Sequence, residues 1–279
     1  MAVLSARKPI SVPAGVSLLL RDLVHLRTGI FFDNERVDTL LEKLEPVAQD
    51  RQCESWLDFY YLLKYEENGT ADWSRVSDAL SVQESWFWRE FSQIEALVSV
   101  IVPEWFAHTF RPLRIWSAAC ATGEEPLTIA MALSEAGWSN HPITIDASDA
   151  SPATLDKARA GLFRERSFRT LSPALRDKYF VPDGPLWRVD SGILKKVRFH
   201  CANLLVPDQV SELASAPVIF CRNCFIYFSP HAIRQTVATF AMRMPRNGRL
   251  FVGASESLLK MTSDFELREI GGAFVYVRT

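Results

Sequence analysis

Two textures divide the chain. Up to about residue 80, apolar positions recur at three- and four-residue spacing, which predicts helices with one buried face. Val16 to Leu26 is one such run, with Gly29 placed to close it, because glycine tolerates the left-handed conformation at a helix end. Val37, Leu40, Leu41 and Leu44 form a second, with Asp33 as its expected cap. Pro46 should end or kink that helix, since it lacks an N–H and crowds the preceding turn. Ser55 and Asp58 resemble a capping box that opens the amphipathic run WLDFYYLLKY. EENGTADW then reads as a turn or linker.

From about residue 112, short apolar runs alternate with helical stretches. LRIWSAA, ITIDASD, APVIFCRN and GRLFVGAS predict strands. GEEPLTIAMALSEAG, SPATLDKARAG and SPHAIRQTVATFAMRM predict helices, the last two opened by a Ser cap with Pro at the first helical position. FELREIGGAFVYVRT predicts an antiparallel hairpin around Gly271-Gly272. This alternation argues for a mostly parallel sheet covered by helices on both faces, a class in which ligands sit beyond the carboxyl ends of the strands.

Composition narrows the picture. The 279 residues carry 31 Lys+Arg against 33 Asp+Glu, so no general attraction to nucleic acid or an anionic membrane is expected. No apolar run reaches the roughly 18–20 residues of a membrane span. The stretch MAVLSARKPISVPAGVSLLL lacks the order of a signal peptide. The 5 cysteines make an odd set that does not read as a disulfide framework. A cytoplasmic protein is the expectation.

Three loops at strand ends carry candidate chemistry. Ser117 to Pro126 is a small-residue loop between a strand and a helix, where a ligand can approach the backbone. It has neither the dinucleotide fingerprint nor a P-loop, and its acidic residues suit a cationic, phosphate-free ligand such as S-adenosylmethionine. A tight turn is the structural alternative. Asp149 ends the second strand, where a carboxylate accepts from ribose hydroxyls or merely caps the next helix. Cys221-Arg-Asn-Cys224 follows a buried strand. Zinc or redox chemistry there would need partners, and the sequence offers only His200 and Cys201.

RIWSAACATGEEPLTIAMAL, ASDASPATLDKARAGLFRE, TLSPALRDKYF, CRNCFIYF and GRLFVGASESL, in this order, resemble the CheR-type chemotaxis receptor methyltransferases over nearly the whole chain. The resemblance implies a Rossmann-like S-adenosylmethionine-dependent methyltransferase domain over 81–279, an all-helical domain over 1–80, and an inserted β-subdomain at about 181–200. In that subdomain Trp187-Arg-Val and Val197-Arg-Phe are expected to pair. It further implies methylation of receptor glutamates, with S-adenosylhomocysteine as product.

Carried over residue by residue, the family's Asn-x-Thr-x-Phe-Phe-Arg motif falls on Gln83-Glu-Ser-Trp-Phe-Trp-Arg89. Gln83, Ser85 and Arg89 keep an amide, a hydroxyl and a guanidinium for the cofactor, while Trp88 replaces a Phe. Glu124 corresponds to the contact with the cofactor's amino acid portion and Asp149 to the ribose acceptor. Asn203, Leu204, Asn223 and Cys224 correspond to positions lining its adenosine and methionine regions. Arg89 and Tyr227 are the expected donors to the acceptor carboxylate. No metal is called for, and no general base, because a glutamate is already ionised at pH 7.

Two departures bear on partners. Residues 1–80 hold 9 Lys/Arg against 13 Asp/Glu, where the family carries a basic receptor-facing helix. Arg159 to Arg198 holds 10 Lys/Arg against 4 acids, so the expected grip on a methyl-accepting receptor's cytoplasmic domain lies there, at Lys195 and Lys196. Asp183-Gly-Pro-Leu-Trp is too short for the family's pentapeptide-binding loop, so tethering to a receptor's C-terminal pentapeptide is not expected. A cofactor-binding regulatory module without turnover is the alternative reading.

Overall fold

The computed structural model describes Ile10, Pro13, residues 15–65 and residues 69–279. Most of the amino-terminal stretch read for signal order lies outside the described residues. The chain divides into two compact units, 1–81 and 82–279.

The first unit is helical. α1 (Val16–Thr28) closes on Gly29, whose φ of 78° suits glycine and whose N–H bonds the His25 carbonyl at 2.9 Å. Asp33 accepts from the Arg36 N–H and starts a 3₁₀ turn that runs into α2 (Val37–Asp50). Pro46 does not end this helix, the first of the two outcomes expected of it. Leu40, Leu44, Val47 and Ala48 are buried on both sides of it. Burying such side chains gains about 1.5–3 kcal/mol each for Leu and Val, enough to outweigh the roughly 3 kcal/mol cost of an internal proline.

The Ser55 and Asp58 side chains bond each other's backbone N–H at the start of α3 (Trp56–Tyr65), forming the expected box. The linker reading of EENGTADW fails from Gly69 onward, where α4 (Gly69–Leu80) begins; residues 66–68 lie outside the described residues. Trp73, Val76 and Leu80 recur at helical spacing and join the unit's core around Leu20, Leu44 and Phe59. That buried face overrides the local Gly-Thr breaker signal.

The second unit opens with α5 (Phe91–Ala96), a π-helical turn over Leu97–Ile101, and α6 (Val102–His108). Strands and helices then alternate: β1 (Leu113–Ala118), α7 (Glu124–Glu135), β2 (Ile143–Asp149), α8 (Pro152–Ala160), β3 (Leu162–Phe163), α9 (Pro173–Tyr179), β4 (Phe180–Asp183), β5 (Leu186–Val189) and α10 (Ser191–Leu194). They continue as β6 (Val197–Cys201), α11 (Pro207–Val210), β7 (Val218–Phe220), α12 (Pro230–Arg243), β8 (Arg249–Phe251), β9 (Phe265–Ile270) and β10 (Ala273–Arg278). Ser151 and Ser229 cap α8 and α12, each followed by proline, as the sequence predicts.

Seven strands form one sheet in the order β6-β2-β1-β7-β8-β10-β9. The first five run parallel, and the β9–β10 hairpin completes the edge antiparallel. Neighbouring strand residues feed opposite cores. Ile115, Phe220 and Phe251 pack on one face with α7, while Trp116, Ile219 and Leu250 pack on the other with α12. The chain leaves β1 to one side for β2 and later returns on the other side to β7. That reversal makes a crevice at the carboxyl ends of these strands.

The expected pairing of Trp187-Arg-Val with Val197-Arg-Phe does not occur. β5 pairs instead with β4 through a tight turn at Gly184, and with β3, in a separate three-stranded sheet. β6 joins the main sheet beside β2. A two-residue turn makes the local hairpin the nearer partner for β5. β6 is drawn to β2 by Asp146, a buried carboxylate that takes Arg198 at 2.9 Å and His200 at 2.8 Å.

Candidate functional site

Small residues follow β1, and they let the backbone fold tightly: Ala119 and Ala121 both take left-handed conformations, at φ 55° and 47°. Trp88, Glu90 and Asn223 do the same, at φ 64°, 48° and 57°. Among the described residues, five of the eight non-glycine positions with positive φ thus gather around one crevice, and strain of this kind persists only where surrounding contacts hold it. Ser85, Trp86, Arg89, Cys120, Glu125 and Asn223 line that crevice among others, at the carboxyl ends of β1 and β7.

Arg222 stitches the crevice together. Its guanidinium is 2% exposed and donates Nε to Glu125 Oε2 at 2.6 Å, Nη1 to the Glu90 carbonyl and Gln93 Oε1 at 3.2 Å, and Nη2 to the Arg89 carbonyl at 3.1 Å. Glu125's other oxygen accepts from buried Ser117 at 2.6 Å. One buried cation therefore fixes the 83–93 segment against the end of β7.

A second clamp holds Asn223. Glu256 is largely buried and accepts from the N–H groups of Gly253, Asn223 and Ile226 at 2.6, 2.8 and 3.1 Å. Burial pushes its carboxyl up, and the backbone donors oppose that shift. Glu90 takes Asn223 Nδ2 at 3.2 Å and the Ala254 N–H at 3.1 Å. A Cβ on Gly253 would fall 2.6 Å from Asn223 Nδ2, so this approach admits only glycine.

The sequence candidates divide by position. Ser85, Arg89 and Asn223 share the crevice. Arg89's Nε is buried without a hydrogen bond, its nearest carboxylate being Glu90's at 3.9 Å, and burial lowers its pKa. Asp149, at the end of β2, accepts from the Ala121 N–H at 3.1 Å and the Ser151 N–H at 2.9 Å. Gln83 reaches the same corner: its Nε2 donates to Thr154 at 3.2 Å, and Thr154 in turn accepts from Ser151 at 2.7 Å. Tyr227 lies half-buried in a 3₁₀ turn beyond Asn223, and burial pushes its phenol up.

Four candidates hold structural posts. Glu124 is buried away from the crevice lining, with Ser167 on one oxygen at 3.1 Å and Thr122 on the other at 2.6 Å; of the Glu pair it is Glu125 that lines the cavity. Asn203 turns back on the Leu205 N–H at 2.9 Å, just past β6. Leu204 is a core residue, and Cys224 packs against the same cluster. The thiol of Cys221 is pushed up by its hydrogen bond with Cys224 and by burial. Among the described residues no three His, Cys, Asp or Glu side chains gather into a metal-binding set.

Glu90 and Glu256 escaped the sequence reading, and Glu125 and Arg222 lie in loops it singled out without foreseeing that they pair. One signal for Arg222 was present: a charged residue inside the apolar run VIFCRNCFIYF must find a buried partner. Lys195 and Lys196, the expected grip on a partner, share a groove with Ile143 and Thr144 at the amino end of β2, the end away from the crevice. The basic residue of that segment that reaches the crevice wall is Arg169, stacked on Trp86.

A profile of the family described as "CheR methyltransferase, SAM binding domain" matches residues 83–273. The chain is 35% identical to chemotaxis protein methyltransferase 2 of Vibrio cholerae, over 89% of this chain and 87% of the relative. It is 30% identical to the chemotaxis protein methyltransferase of Salmonella typhimurium, over 88% and 85%. Chemotaxis protein methyltransferase 1 of Pseudomonas aeruginosa is 29% identical, over 92% and 96%. No described helix is long and apolar enough to cross a membrane.

Proposed function

This chain belongs to the CheR methyltransferase family, and from that premise we propose that it transfers a methyl group from S-adenosylmethionine to glutamate side chains of a chemoreceptor's cytoplasmic domain. One observation supports the carboxylate as acceptor: among the described residues of the crevice lining the acidic ones are Glu84, exposed and ion-paired with Arg169 at 3.8 Å, and Glu125, which is fully engaged. Glu125 is occupied by Arg222 and Ser117, and Glu90 by Asn223 and the Ala254 N–H. The Cys120 thiol is held protonated by burial. An amine or hydroxyl acceptor would have to lose a proton here, whereas a carboxylate has none to lose.

The residues present fit the cofactor. Arg89's unpartnered Nε is a donor for the methionine carboxylate. Asp149, fixed by two backbone N–H groups and spanned to Gln83 through the Ser151–Thr154 cap, suits the ribose. When bound, the cofactor supplies an electrophilic methyl group on a positively charged sulfur. The protein's part is alignment of the acceptor oxygen with that methyl group. Tyr227's phenol, kept protonated by burial, donates to one acceptor oxygen and leaves the other to attack. The strained Asn223 backbone, clamped by Glu256 and Glu90, fixes the wall against which both molecules lie. A regulatory module without turnover finds no support in these features.

The pH profile tests this reading. With a carboxylate acceptor the rate should stay flat from about pH 6.5 to 9 and fall only as the acceptor, with an ordinary pKa of about 4.3, becomes protonated. Tyr227 keeps its proton over this range, because its shift is upward from 10.0. A rate that climbs about tenfold per pH unit would mark an amine acceptor, pKa about 10.4, and would overturn the proposal.

A further inference from the structure

Arg169 occupies a position that the chemistry described so far does not use. Its guanidinium carbon lies 3.3 Å from the centroid of the Trp86 ring, and that of Arg89 lies 4.1 Å from the same centroid. Both guanidinium groups therefore lie against the one indole side chain. Trp86 and Arg89 line the crevice, and Arg169, packed against Trp86, borders it.

The placement is fixed from both sides. Phe87, next to Trp86, accepts the Thr170 hydroxyl on its carbonyl at 2.7 Å and donates its N–H to the Ser167 carbonyl at 2.9 Å. Phe168 stacks on Phe87 with centroids 5.4 Å apart, and both rings are buried. Arg169 is thus held between two anchored neighbours, with its head laid on an aromatic plane. Its charge is paired only loosely, in an exposed ion pair that water screens. The nearest carboxylate, Glu84, is 3.8 Å away, beyond a hydrogen bond, and 71% exposed. A half-exposed guanidinium held in place by an aromatic ring and so loosely paired can exchange Glu84 for another carboxylate.

We propose that Arg169 is a specificity-determining residue that recognises a second acidic side chain of the acceptor protein, one flanking the glutamate that enters the crevice. The inference rests on the carboxylate-methylation reading above. The two guanidinium carbons lie within about 7 Å of each other, by their distances to the ring. An acidic side chain within one helical turn of the glutamate that enters the crevice, Cβ atoms about 5–6 Å apart, can reach Arg169 at its border. Arg169 is not in the crevice lining, so the flanking carboxylate binds it without competing for the site.

The experiment uses the receptor fragment that the wild-type enzyme labels with base-labile methyl groups. Arg169→Gln should raise the KM for that fragment about tenfold, the loss expected for one charge-assisted bidentate contact. Affinity for S-adenosylhomocysteine should stay within about twofold, which also reports an intact fold. Arg169→Lys, keeping charge without the planar fork, should fall between. Neutralising the acidic residue beside the methylated glutamate should raise KM as much with wild type, yet add little in the Arg169→Gln background. Additive losses, or an unchanged KM, would overturn the role of Arg169 while leaving carboxylate methylation standing. If the wild type produces no base-labile label on any receptor, the reading of function falls and this inference falls with it.

Discussion

Replacing Arg222 with methionine should destabilise the second unit by about 3–5 kcal/mol, the cost of removing one partner from a buried ion pair. The side chain is 2% exposed and its Glu125 partner 13%, so water cannot substitute for the lost guanidinium. Glu125 would remain with only the Ser117 hydroxyl as a donor, and the carbonyls of Arg89 and Glu90 would lose theirs. Against a total stability of roughly 5–15 kcal/mol, this is a large fraction. Urea unfolding followed by tryptophan fluorescence measures it. Adding Glu125→Gln should recover part of the loss, because a neutral amide is cheaper to bury than an unpaired carboxylate. A single-variant loss under about 1 kcal/mol would mean that Arg222 does not hold the crevice together.

Asp149→Ala should weaken S-adenosylhomocysteine binding roughly 10- to 150-fold, the equivalent of about 1.5–3 kcal/mol for hydrogen bonds to a charged acceptor. Two effects act in the same direction. The ribose hydroxyls lose their charged partner, and the Ala121 N–H loses the carboxylate that holds its left-handed backbone, φ 47°, in place. Asp149→Asn keeps an acceptor oxygen without the charge and should cost less. Calorimetric titration distinguishes the three proteins; unchanged affinity in the alanine variant would take Asp149 out of the site.

Where local rules decide, the sequence was readable. Ser151-Pro152 and Ser229-Pro230 start helices because a hydroxyl cap and a preset φ act within four residues. ITIDASD is a strand over its full length because both faces of a parallel strand are buried. Local signals gave way where a tertiary contact outweighed them. Pro46 lies inside a helix whose buried side chains flank it, and Gly69 opens a helix that its core-facing residues maintain. β5 and β6 belong to different sheets because each had a better partner than the other.

The site was harder to read for a related reason. Arg222 and Glu125 are distant in sequence, as are Asn223 and its two carboxylate clamps, Glu90 and Glu256. Backbone strain at Ala119 and Ala121 leaves no mark in side-chain type, and at Asn223 only the modest preference of asparagine for the left-handed region marks it. Of the adjacent pair Glu124-Glu125, helix geometry sends one carboxylate into the crevice and the other to Ser167 and Thr122, a choice that spacing alone does not make.

Methyl transfer is expected to end on a carboxylate. Its most direct test incubates the purified protein with methyl-tritiated S-adenosylmethionine and chemoreceptor cytoplasmic fragments from the same organism, then treats the labelled protein with mild alkali. Glutamate methyl esters would release the label as volatile methanol. Label that resists alkali, or no transfer to any of the receptors, would contradict the account.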